Sequence, residues 1–493
     1  MWHELFKLSS HSEHNLQRQL REQLVAAILD GRIPPASALP SSRELSRQLG
    51  VARNTVVLAY QHLVDEGFLT TRERRGYFVN RDMLRGRVRT DRGETDRQHE
   101  SAQASVNWQS RFRFRPSSQR NISKPENWDQ YRYPFIYGQP DPALIPVSDW
   151  RECARQALSV GTIRETARDR VDADDPLLVE QIQTRLLTRR GIWASADEIL
   201  VTLGAQHALY LLASLLLSAR DVVGIEDPGY PDARNIFSRH TPNIVGLTVD
   251  EKGLVVGDAL SACDYVYVTP SHQAPTTVTL SAGRRERLLD EAEAGDFMII
   301  EDDYEAETNF ATEPTPALKA SDRTGRVIYV GSLSKTLAPG LRVGFMVGPP
   351  ELVREARVLR RLMVRHPPSN NQRLVALFLS LGHHDALINR LTQSYGERWR
   401  AMGESLSQHL PETHRMPAFG GTSVWIRGPE GLDCHTLYER ALAKSILIER
   451  GDVYFCSDQP PRNYFRLGYS TIPVERIEPG IRELAKLVHG TGN

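Results

Sequence analysis

Cysteine is scarce in this sequence of 493 residues, and none of its four cysteines has CxxC spacing to another. Scattered thiols argue against a disulfide framework or a cysteine-based metal site, so we expect no bound metal. Long apolar runs are also missing, because the longest, residues 208–217, is about half of what a membrane span needs. The segment MWHELFKLSS at the start lacks the apolar run of a signal peptide. These absences predict a cytoplasmic protein. The cysteines are Cys153, Cys263, Cys434 and Cys456.

A net charge is absent too, but the charged residues are unevenly distributed. Residues 1–80 carry +2 and residues 81–124 carry +6, so the remaining 369 residues carry −8. A basic front and an acidic body favour a polyanionic partner for the front, although basic linkers also occur in proteins that bind no nucleic acid. The length predicts two or three domains.

The composition changes twice along the chain. Residues 12–80 have helical periodicity, residues 81–125 are rich in Arg, Gln and Ser as in a linker, and residues 126–493 form the body. Within the linker, residues 108–117 alternate Arg and Phe. This stretch either packs on a domain, as a strand on the body in the simpler interpretation, or contacts DNA phosphates.

The front part has the pattern of a small DNA-binding module. Apolar spacing predicts a first helix over residues 15–29. Ser41 or Ser42 can cap a second helix that Gly50 ends, and a third helix is predicted over 52–66. This spacing is typical of a helix-turn-helix, in which the first turn of the last helix reaches base edges. The run FLTTRERRGYFV then predicts two strands around a basic turn, or wing.

This order of Leu-Pro-Ser-Ser-Arg, helix, Val-x-Arg-x-Thr, helix, Glu-Gly and wing resembles the winged helix-turn-helix of the GntR regulator family. Val57 stands where the family often has Arg, so no base preference is carried over. The alternative is a helical module that mediates protein contacts only. The resemblance implies that the protein binds double-stranded operator DNA through Arg43, Arg53, Asn54, Thr55, Arg72, Arg74 and Gly76.

The body alternates short β-rich runs with helical stretches, which predicts an α/β sheet of parallel strands covered on both faces. Ligands of such sheets bind beyond the carboxyl ends of the strands, where polar or Gly-rich residues follow each run. The runs are EILVTL (198–203), VVGIED (222–227), YVYVTP (265–270), FMIIEDD (297–303) and VIYVGS (327–332).

The most informative motif is YVGSLSKTLAPGLRVGF, residues 329–345. A lysine just beyond a buried strand, here Lys335, suits Schiff-base chemistry because desolvation lowers the pKa of its amine. Ser332 and Arg342 flank it and could hold a phosphate, since the guanidinium fork binds two oxygens at once.

This motif resembles the pyridoxal phosphate (PLP) lysine segment of fold-type I aminotransferases, and especially of the MocR (GabR-like) branch of GntR regulators. The resemblance implies an N-terminal winged helix-turn-helix joined to aminotransferase-like large and small domains. It implies that Lys335 forms the Schiff base with PLP and that Asp302 pairs with the ring nitrogen, which keeps the ring an electron sink. Tyr304 would contact the ring oxygen, and Tyr230 would stack on the ring. Phosphate contacts are implied for Gly204, Ala205, Gln206, Ser332 and Arg342, and effector-carboxylate binding for Arg466.

Each of these residues also has an ordinary structural explanation. Lys335 could be a surface lysine and Tyr230 a core ring, whereas Asp302 could cap a helix or pair with an arginine. Arg466 could form a structural ion pair. The segment 271–277 departs from the family because Ala274 replaces an aromatic residue and Thr277 a glycine. Therefore His272 and Gln273 are candidates for the ring-oxygen contact on that side, and the smaller Ala274 could enlarge an effector pocket.

Two functions from different classes follow from this resemblance. The first is a homodimeric regulator that senses a small amino compound through an aldimine at Lys335. Its long linker is sufficient for a domain swap between the two subunits. The alternative is an active PLP-dependent aminotransferase with an accessory DNA-binding domain, and half-transamination could persist in a regulator. A third hypothesis is a structural relic that no longer binds the cofactor. The effector would be an amino acid, an amino sulfonate such as taurine, or PLP itself.

Overall fold

The computed structural model describes residues 5–9, 14–73, 75–84, 106–305, 307, 309, 315–411, 413, 416 and 420–490. The chain divides into two compact units, Met1–Phe114 and Arg115–Asn493. Arg74 of the predicted wing and residues 85–105 of the predicted linker lie outside the described residues. Within the described ranges, no helix has both the length and the apolar character needed to cross a membrane.

The first unit contains helices and a hairpin in the predicted order. Side-chain caps start two of the helices, because the Asn15 side chain accepts from Arg18 N at 2.9 Å and the Ser41 hydroxyl accepts from Glu44 N at 3.2 Å. Gly50 ends the second helix at φ 65°, a conformation that favours glycine. The elements are α1 (Leu16–Leu29), α2 (Ser42–Leu49), α3 (Arg53–Asp65), β1 (Leu69–Arg72) and β2 (Gly76–Val79).

The second unit is built on a mixed sheet with the strand order β4-β11-β10-β9-β8-β5-β6-β7. Pairing is parallel from β10 through β9, β8 and β5 to β6, whereas β11 is antiparallel to both of its neighbours and β7 to β6. The strands of this sheet are β4 (Ile199–Thr202), β5 (Val223–Asp227), β6 (Ile244–Asp250), β7 (Gly253–Leu254), β8 (Tyr265–Val268), β9 (Met298–Asp303), β10 (Val327–Ser332) and β11 (Gly344–Val347). The preceding strand along the chain, β3 (Tyr133–Pro134), lies outside this sheet.

All five predicted β-rich runs form strands of this sheet. The sequence did not predict β6, β7 or β11. The first two lie at the sheet edge, where one of the seven residues of β6 is buried, and β11 begins with the last two residues of the lysine motif. Alternation in β10 shows that both faces of the sheet are covered, because Tyr329 enters one apolar cluster and Ile328 and Val330 enter another.

Helices lie between and after the strands. Ala205–Leu216 includes most of the apolar run 208–217 and is buried along one side, as predicted. The helices are α4 (Val147–Ala157), α5 (Val160–Thr166), α6 (Pro176–Gln181), α7 (Ala205–Leu216), α8 (Pro231–Phe237), α9 (Ala282–Gly295), α10 (Pro350–Val364), α11 (Ser369–Ser380), α12 (His383–His409), α13 (Cys434–Ala443) and α14 (Val474–His489).

A smaller sheet has the order β12-β15-β14 and is antiparallel throughout. It packs with a separate apolar cluster that includes residues of α12 and α14. In this sheet Glu449 and Arg466 are register partners on adjacent strands, so their side chains emerge together. The strands are β12 (Ser423–Arg427), β14 (Glu449–Arg450) and β15 (Tyr464–Gly468), and β13 (Ile446–Leu447) pairs separately with β3.

The predicted linker is not uniform. Residues 108–110 and 116–118 form single 3-10 turns, so the interpretation of this stretch as a strand is wrong. Trp108 and Phe112 are 65% and 52% exposed. By contrast, residues 115–125 belong to the second unit. Gln119 donates to Asn235 O at 3.2 Å, and Arg120 Nη2 donates to the carbonyl oxygens of residues 455–457 at 2.7–3.3 Å. The end of the linker is therefore held on the body.

Candidate functional site

A cavity of 280 Å³ lies where β9, β10 and the start of α7 meet residues of the small sheet. This is the carboxyl end of the parallel strands, where ligands of such sheets bind. Many of the residues singled out from the sequence meet here, although they are widely spaced along the chain. The lining consists of Ile122, Lys124, Tyr137, Ala205, Gln206, Tyr230, Asp232, Ala274, Asp302, Tyr304, Ser332, Ser334, Lys335, Pro339, Arg342 and Arg466.

Lys335 follows β10 and points its amine into the cavity. Its Nζ lies 4.2 Å from the centre of the Tyr137 ring. Gly138 leaves the room for this amine, since a Cβ there would lie 2.6 Å from Lys335 Nζ. Burial, followed by the positive charge of Lys124, lowers the pKa of Lys335 from 10.5 to about 8. About a tenth of Lys335 is therefore a free amine at pH 7, and this is the form that a carbonyl nucleophile requires.

Asp302 lies near the end of β9 with one carboxylate oxygen left for a ligand. Tyr267 donates its hydroxyl to Oδ2 at 2.8 Å, whereas Oδ1 is buried and has no hydrogen-bond partner among the described residues. Burial raises the pKa of Asp302 to about 7 against the effect of the Tyr267 hydrogen bond. A cationic N–H directed at Oδ1 would restore the ionised carboxylate and satisfy the free oxygen.

One end of the cavity has the features of a phosphate site. Gly204, at φ 84°, immediately precedes α7, so Ala205 and Gln206 present the first free N–H groups of the helix. Arg342 Nη2 donates to Leu203 O at 2.9 Å, beside those groups. Glycine is required at position 204, because a Cβ would lie 2.9 Å from that guanidinium.

Serines continue this end of the cavity. Ser332, which the sequence predicted, accepts from Ser334 N at 3.2 Å and lines the cavity. The Ser334 hydroxyl is buried, lines the same wall and has no partner in the described part of the chain. We did not predict Ser334, although its position beside the motif lysine could have indicated it.

Two tyrosines border the cavity at different depths. The Tyr304 hydroxyl is buried, and no described residue bonds to it. Tyr230 is half-buried and donates to Asp232 Oδ2 at 3.0 Å, while Gln206 Nε2 donates to the Tyr230 hydroxyl at 3.3 Å. Tyr304 is therefore available to a ligand, and Tyr230 is held in place by its hydroxyl with its ring on the cavity wall.

Arg466 in β15 also lines the cavity. Its Nε donates to Ser423 Oγ at 2.9 Å, its Nη1 donates to the Tyr454 hydroxyl at 3.2 Å, and its Cζ lies 3.6 Å from the Tyr137 ring centre. Nη2 is buried and has no hydrogen-bond partner within the described ranges. Glu449 lies 4.0 Å from Nη1, so the structural ion pair is present, but the guanidinium keeps a free donor for an acidic ligand.

His272 and Gln273 do not line the cavity, although the sequence made them candidates for the ring-oxygen contact. Gln273 donates to Pro228 O at 2.8 Å and to Glu226 at 3.3 Å, so its amide is used in holding a turn. His272 Nε2 lies 3.1 Å from Glu305 Oε2. Ala274 reaches the cavity instead. Thr277, where the family has glycine, adopts φ 65°, a conformation that strains a β-branched residue.

Lys124, Tyr137 and Glu449 are functional candidates that the sequence did not reveal. Lys124 and Tyr137 line the cavity, and Glu449 forms a 3.2 Å ion pair with Lys124. Lys124 stood in the predicted linker, and the other two are far from the lysine motif along the chain. The basic end of the linker was the only signal for Lys124, and it pointed equally to DNA.

The described residues also include one cluster with possible metal ligands, which the sequence did not predict. Ligand atoms of Cys434, His435 and Asp452 lie within 4.8 Å of one another. His435 Nε2 is 3.0 Å from Asp452, and His435 Nδ1 is 2.5 Å from Arg450 Nη1. Both ring nitrogens are thus engaged, and a guanidinium stands beside them, so the cluster is satisfied as a polar network.

The first unit presents the predicted DNA-contacting side chains on its surface. Arg43, Arg53 and Asn54 are exposed around the start of α3, and Thr55 is half-buried. In the hairpin, Arg72 is exposed with its Cζ 4.3 Å from the Phe78 ring centre, and Gly76 is exposed at φ 94°. This arrangement places basic and hydrogen-bonding groups at the helix start and the hairpin turn.

Comparison with known proteins links both units to characterised families. The model of bacterial regulatory proteins of the gntR family matches residues 16–79, and that of aminotransferase class I and II matches residues 139–484. The HTH-type transcriptional regulator TauR of Rhodobacter capsulatus is 40% identical over 492 residues, which cover 98% of each chain. The probable rhizopine catabolism regulatory protein MocR of Rhizobium meliloti is 29% identical and is covered over 93% of its length, with 95% of this chain.

Solved structures resemble the body of the chain. The α-aminoadipate aminotransferase LysN of Thermus thermophilus, complexed with N-(5'-phosphopyridoxyl)-L-leucine, matches with a TM-score of 0.69 and 28% identity. The match covers 78% of this chain and 99% of that one. The predicted fold-type I aminotransferase fold is therefore confirmed.

Proposed function

The chain belongs to the MocR-type transcription regulators of the GntR family, with an aminotransferase class I and II domain, and we propose that it senses a small amino compound in its Lys335 pocket. One chain contains both a surface suited to DNA and a cavity whose free polar groups fit a phosphorylated pyridine aldehyde. This combination is the observation that carries the proposal. We infer that it works on operator DNA in the bacterial cytoplasm, as a homodimer in keeping with its family.

Pyridoxal 5'-phosphate fits the groups that the cavity leaves free. Asp302 Oδ1 would accept from the ring N–H, and Tyr304 would donate to the ring oxygen. Ser334, Arg342 and the start of α7 would hold the phosphate. When bound, the cofactor supplies an aldehyde that condenses reversibly with primary amines. Lys335, whose pKa of about 8 leaves part of it unprotonated, would anchor it.

Arg466 defines the chemical class of the effector. Its Nη2 is buried and without a partner among the described residues, and Arg466 lines the cavity, so it suits a carboxylate or a sulfonate. A compound with a primary amine at one end and an acid at the other would reach both Lys335 and Arg466. We therefore propose an amino acid or an amino sulfonate as the effector.

Regulation requires that the effector bind two arrangements of the protein unequally, and that DNA affinity differ between them. The second candidate function is transamination, which is favoured by the complete set of Lys335, Asp302, Tyr304 and Arg466 in one cavity. The DNA-reading unit favours sensing as the main role, because an aminotransferase reaction has no use for it.

The deciding experiment is a titration of the PLP-loaded full-length protein with amino acids and amino sulfonates, followed by visible absorbance and by affinity for a DNA fragment selected from genomic DNA. We expect one compound to shift the absorbance reversibly and to change DNA affinity about 5- to 150-fold, the usual range of allosteric coupling. Progressive conversion to the pyridoxamine form, restored by a keto acid and without effect on DNA binding, would instead establish an enzyme.

A further inference from the structure

Lys124, at the end of the predicted linker, reaches the same cavity as Lys335. Its Nζ forms a 3.2 Å ion pair with Glu449 Oε1 and also donates to Tyr137 O, which uses two of its three N–H groups. The Lys124 side chain is 23% exposed and lines this cavity. A Cβ at Gly138 would lie 3.6 Å from Lys124 Nζ and 2.6 Å from Lys335 Nζ, so both amines border the same small space.

One carboxylate at this end of the cavity serves two cations. Glu449 lies 3.2 Å from Lys124 and 4.0 Å from Arg466, and it also accepts from Tyr137 N at 3.2 Å. Glu449 and Arg466 are buried and the Lys124 side chain is 23% exposed, while Arg466 Nη2 keeps no hydrogen-bond partner among the described residues. A buried cationic donor without a partner favours binding of an anionic group.

The residues that precede Lys124 are held by hydrogen bonds at one end of the segment and border a cavity at the other. Gln119 and Arg120 anchor it to residues of α8 and of the loop before β15. Asn121, Ile122 and Ser123 border a second cavity, of 220 Å³, whose wall also includes Glu449. Ile122 lines both cavities, so the segment that carries Lys124 lies between them.

We propose that Lys124 is a specificity-determining residue, which binds the acidic group of the effector jointly with Arg466. This inference rests on the proposed sensing function and deepens it, because it assigns the effector a single carboxylate or sulfonate. It also places an effector contact on the segment that continues, toward the N-terminus, into the DNA-reading unit. Effector binding would then act directly on the chain that joins the two units.

The test compares matched probes on the PLP-loaded full-length protein. Taurine and β-alanine carry both an amine and an acid group, whereas propylamine offers the amine alone. Each probe is titrated to 100 mM, on the order of the weakest useful affinity, while visible absorbance is recorded.

The variants are Lys124→Gln, the conservative Lys124→Arg, and Lys252→Gln as a control at an exposed lysine of the body. We expect Lys124→Gln to weaken half-saturation by the better acid probe about 10-fold or more, with propylamine unchanged. Lys124→Arg should retain most of the preference, and Lys252→Gln should match the parent.

The outcomes separate this inference from the proposed function. If the parent responds to none of the probes, both proposals fail. If acid probes and propylamine act equally on the parent, amine binding stands and the shared acid site is wrong. If the parent prefers the acid probes and Lys124→Gln keeps that preference, or weakens all probes alike, Lys124 is only structural.

Discussion

The two units of the chain present their functional side chains in opposite ways. In the first unit, Arg43, Arg53 and Asn54 stand exposed at the starts of two helices, whereas in the second, Lys335 is half-buried and Asp302 is buried, and both line a cavity. Exposed cations attract a polyanion such as DNA at long range and without a fitted shape. Buried charges cost free energy unless they are matched, so they act only on a molecule that supplies the missing partners. The two units therefore suit two kinds of partner, an extended polyanion for the first and a small molecule that supplies matching charges for the second.

Lys335→Ala should have the largest effect and should separate the roles of the two units. We expect the visible absorbance of the bound cofactor to be lost, because Lys124, another amine that lines the cavity, is already engaged by Glu449 and Tyr137 O. DNA affinity without effector should stay within about 3-fold of the parent, since the exposed surface is untouched. Absorbance spectra and DNA binding on the same preparation check both. If DNA binding disappears as well, the cofactor is part of the structure of the DNA-reading unit.

The pH dependence of PLP binding tests whether Lys335 is desolvated in the cavity. Burial lowers the pKa of Lys335 to about 8, so the fraction of free amine falls as the pH drops below that value. We expect the rate of PLP capture by the cofactor-free protein to fall about 50-fold between pH 8 and pH 6. Stopped-flow absorbance measures this rate, with N-acetyl-lysine methylamide as the unburied reference. A rate that keeps rising above pH 10 would show that the lysine is not desolvated.

Arg53→Ala tests the exposed surface of the first unit. Loss of one phosphate or base contact should weaken DNA binding about 10-fold, and a phosphate contact should also reduce the slope of log affinity against log salt by about 1. Cofactor absorbance and effector response should not change. Arg18→Ala is the matched control, because Arg18 is also exposed in the first unit and forms a surface ion pair with Glu22. Equal losses in the two variants would mean that only the total charge matters.

Ser41→Ala should have the smallest effect and is confined to the first unit. The Ser41 hydroxyl accepts from Glu44 N at 3.2 Å as the cap of α2, and loss of such a cap costs about 1 kcal/mol. Hydrogen exchange of residues 42–49 should quicken accordingly, while cofactor absorbance stays constant. Ser42→Ala is the control, because Ser42 lies inside the helix. Equal destabilisation by both changes would contradict the role of Ser41 as the cap.

Sequence patterns predicted the first unit almost completely. Asn15, Ser41 and Gly50 set helix ends through contacts with residues a few positions away, and the structure has these ends where they were expected. The same holds for the five predicted strands of the body, whose apolar runs are short and continuous. Local hydrogen bonds and periodicity determine these features, so no distant residue is needed to specify them.

The cavity was only partly predictable. The lysine motif and the Asp-x-Tyr pattern indicated Lys335, Asp302 and Tyr304, which line the cavity in the structure. Gln273 was a candidate, but its amide is used by Glu226 and Pro228, a contact that no motif revealed.

Local patterns along the chain predicted the helices and wing strands of the first unit, five strands of the body and the lysine motif, because those features depend on neighbouring residues. Only the tertiary structure decided that Lys124 and Glu449, more than 300 residues apart, would pair at 3.2 Å beside Arg466. The physical reason is that burial and charge pairing depend on which surfaces the fold brings together. They give Lys335 its low pKa and Arg466 its free donor, and both are properties of the packed molecule.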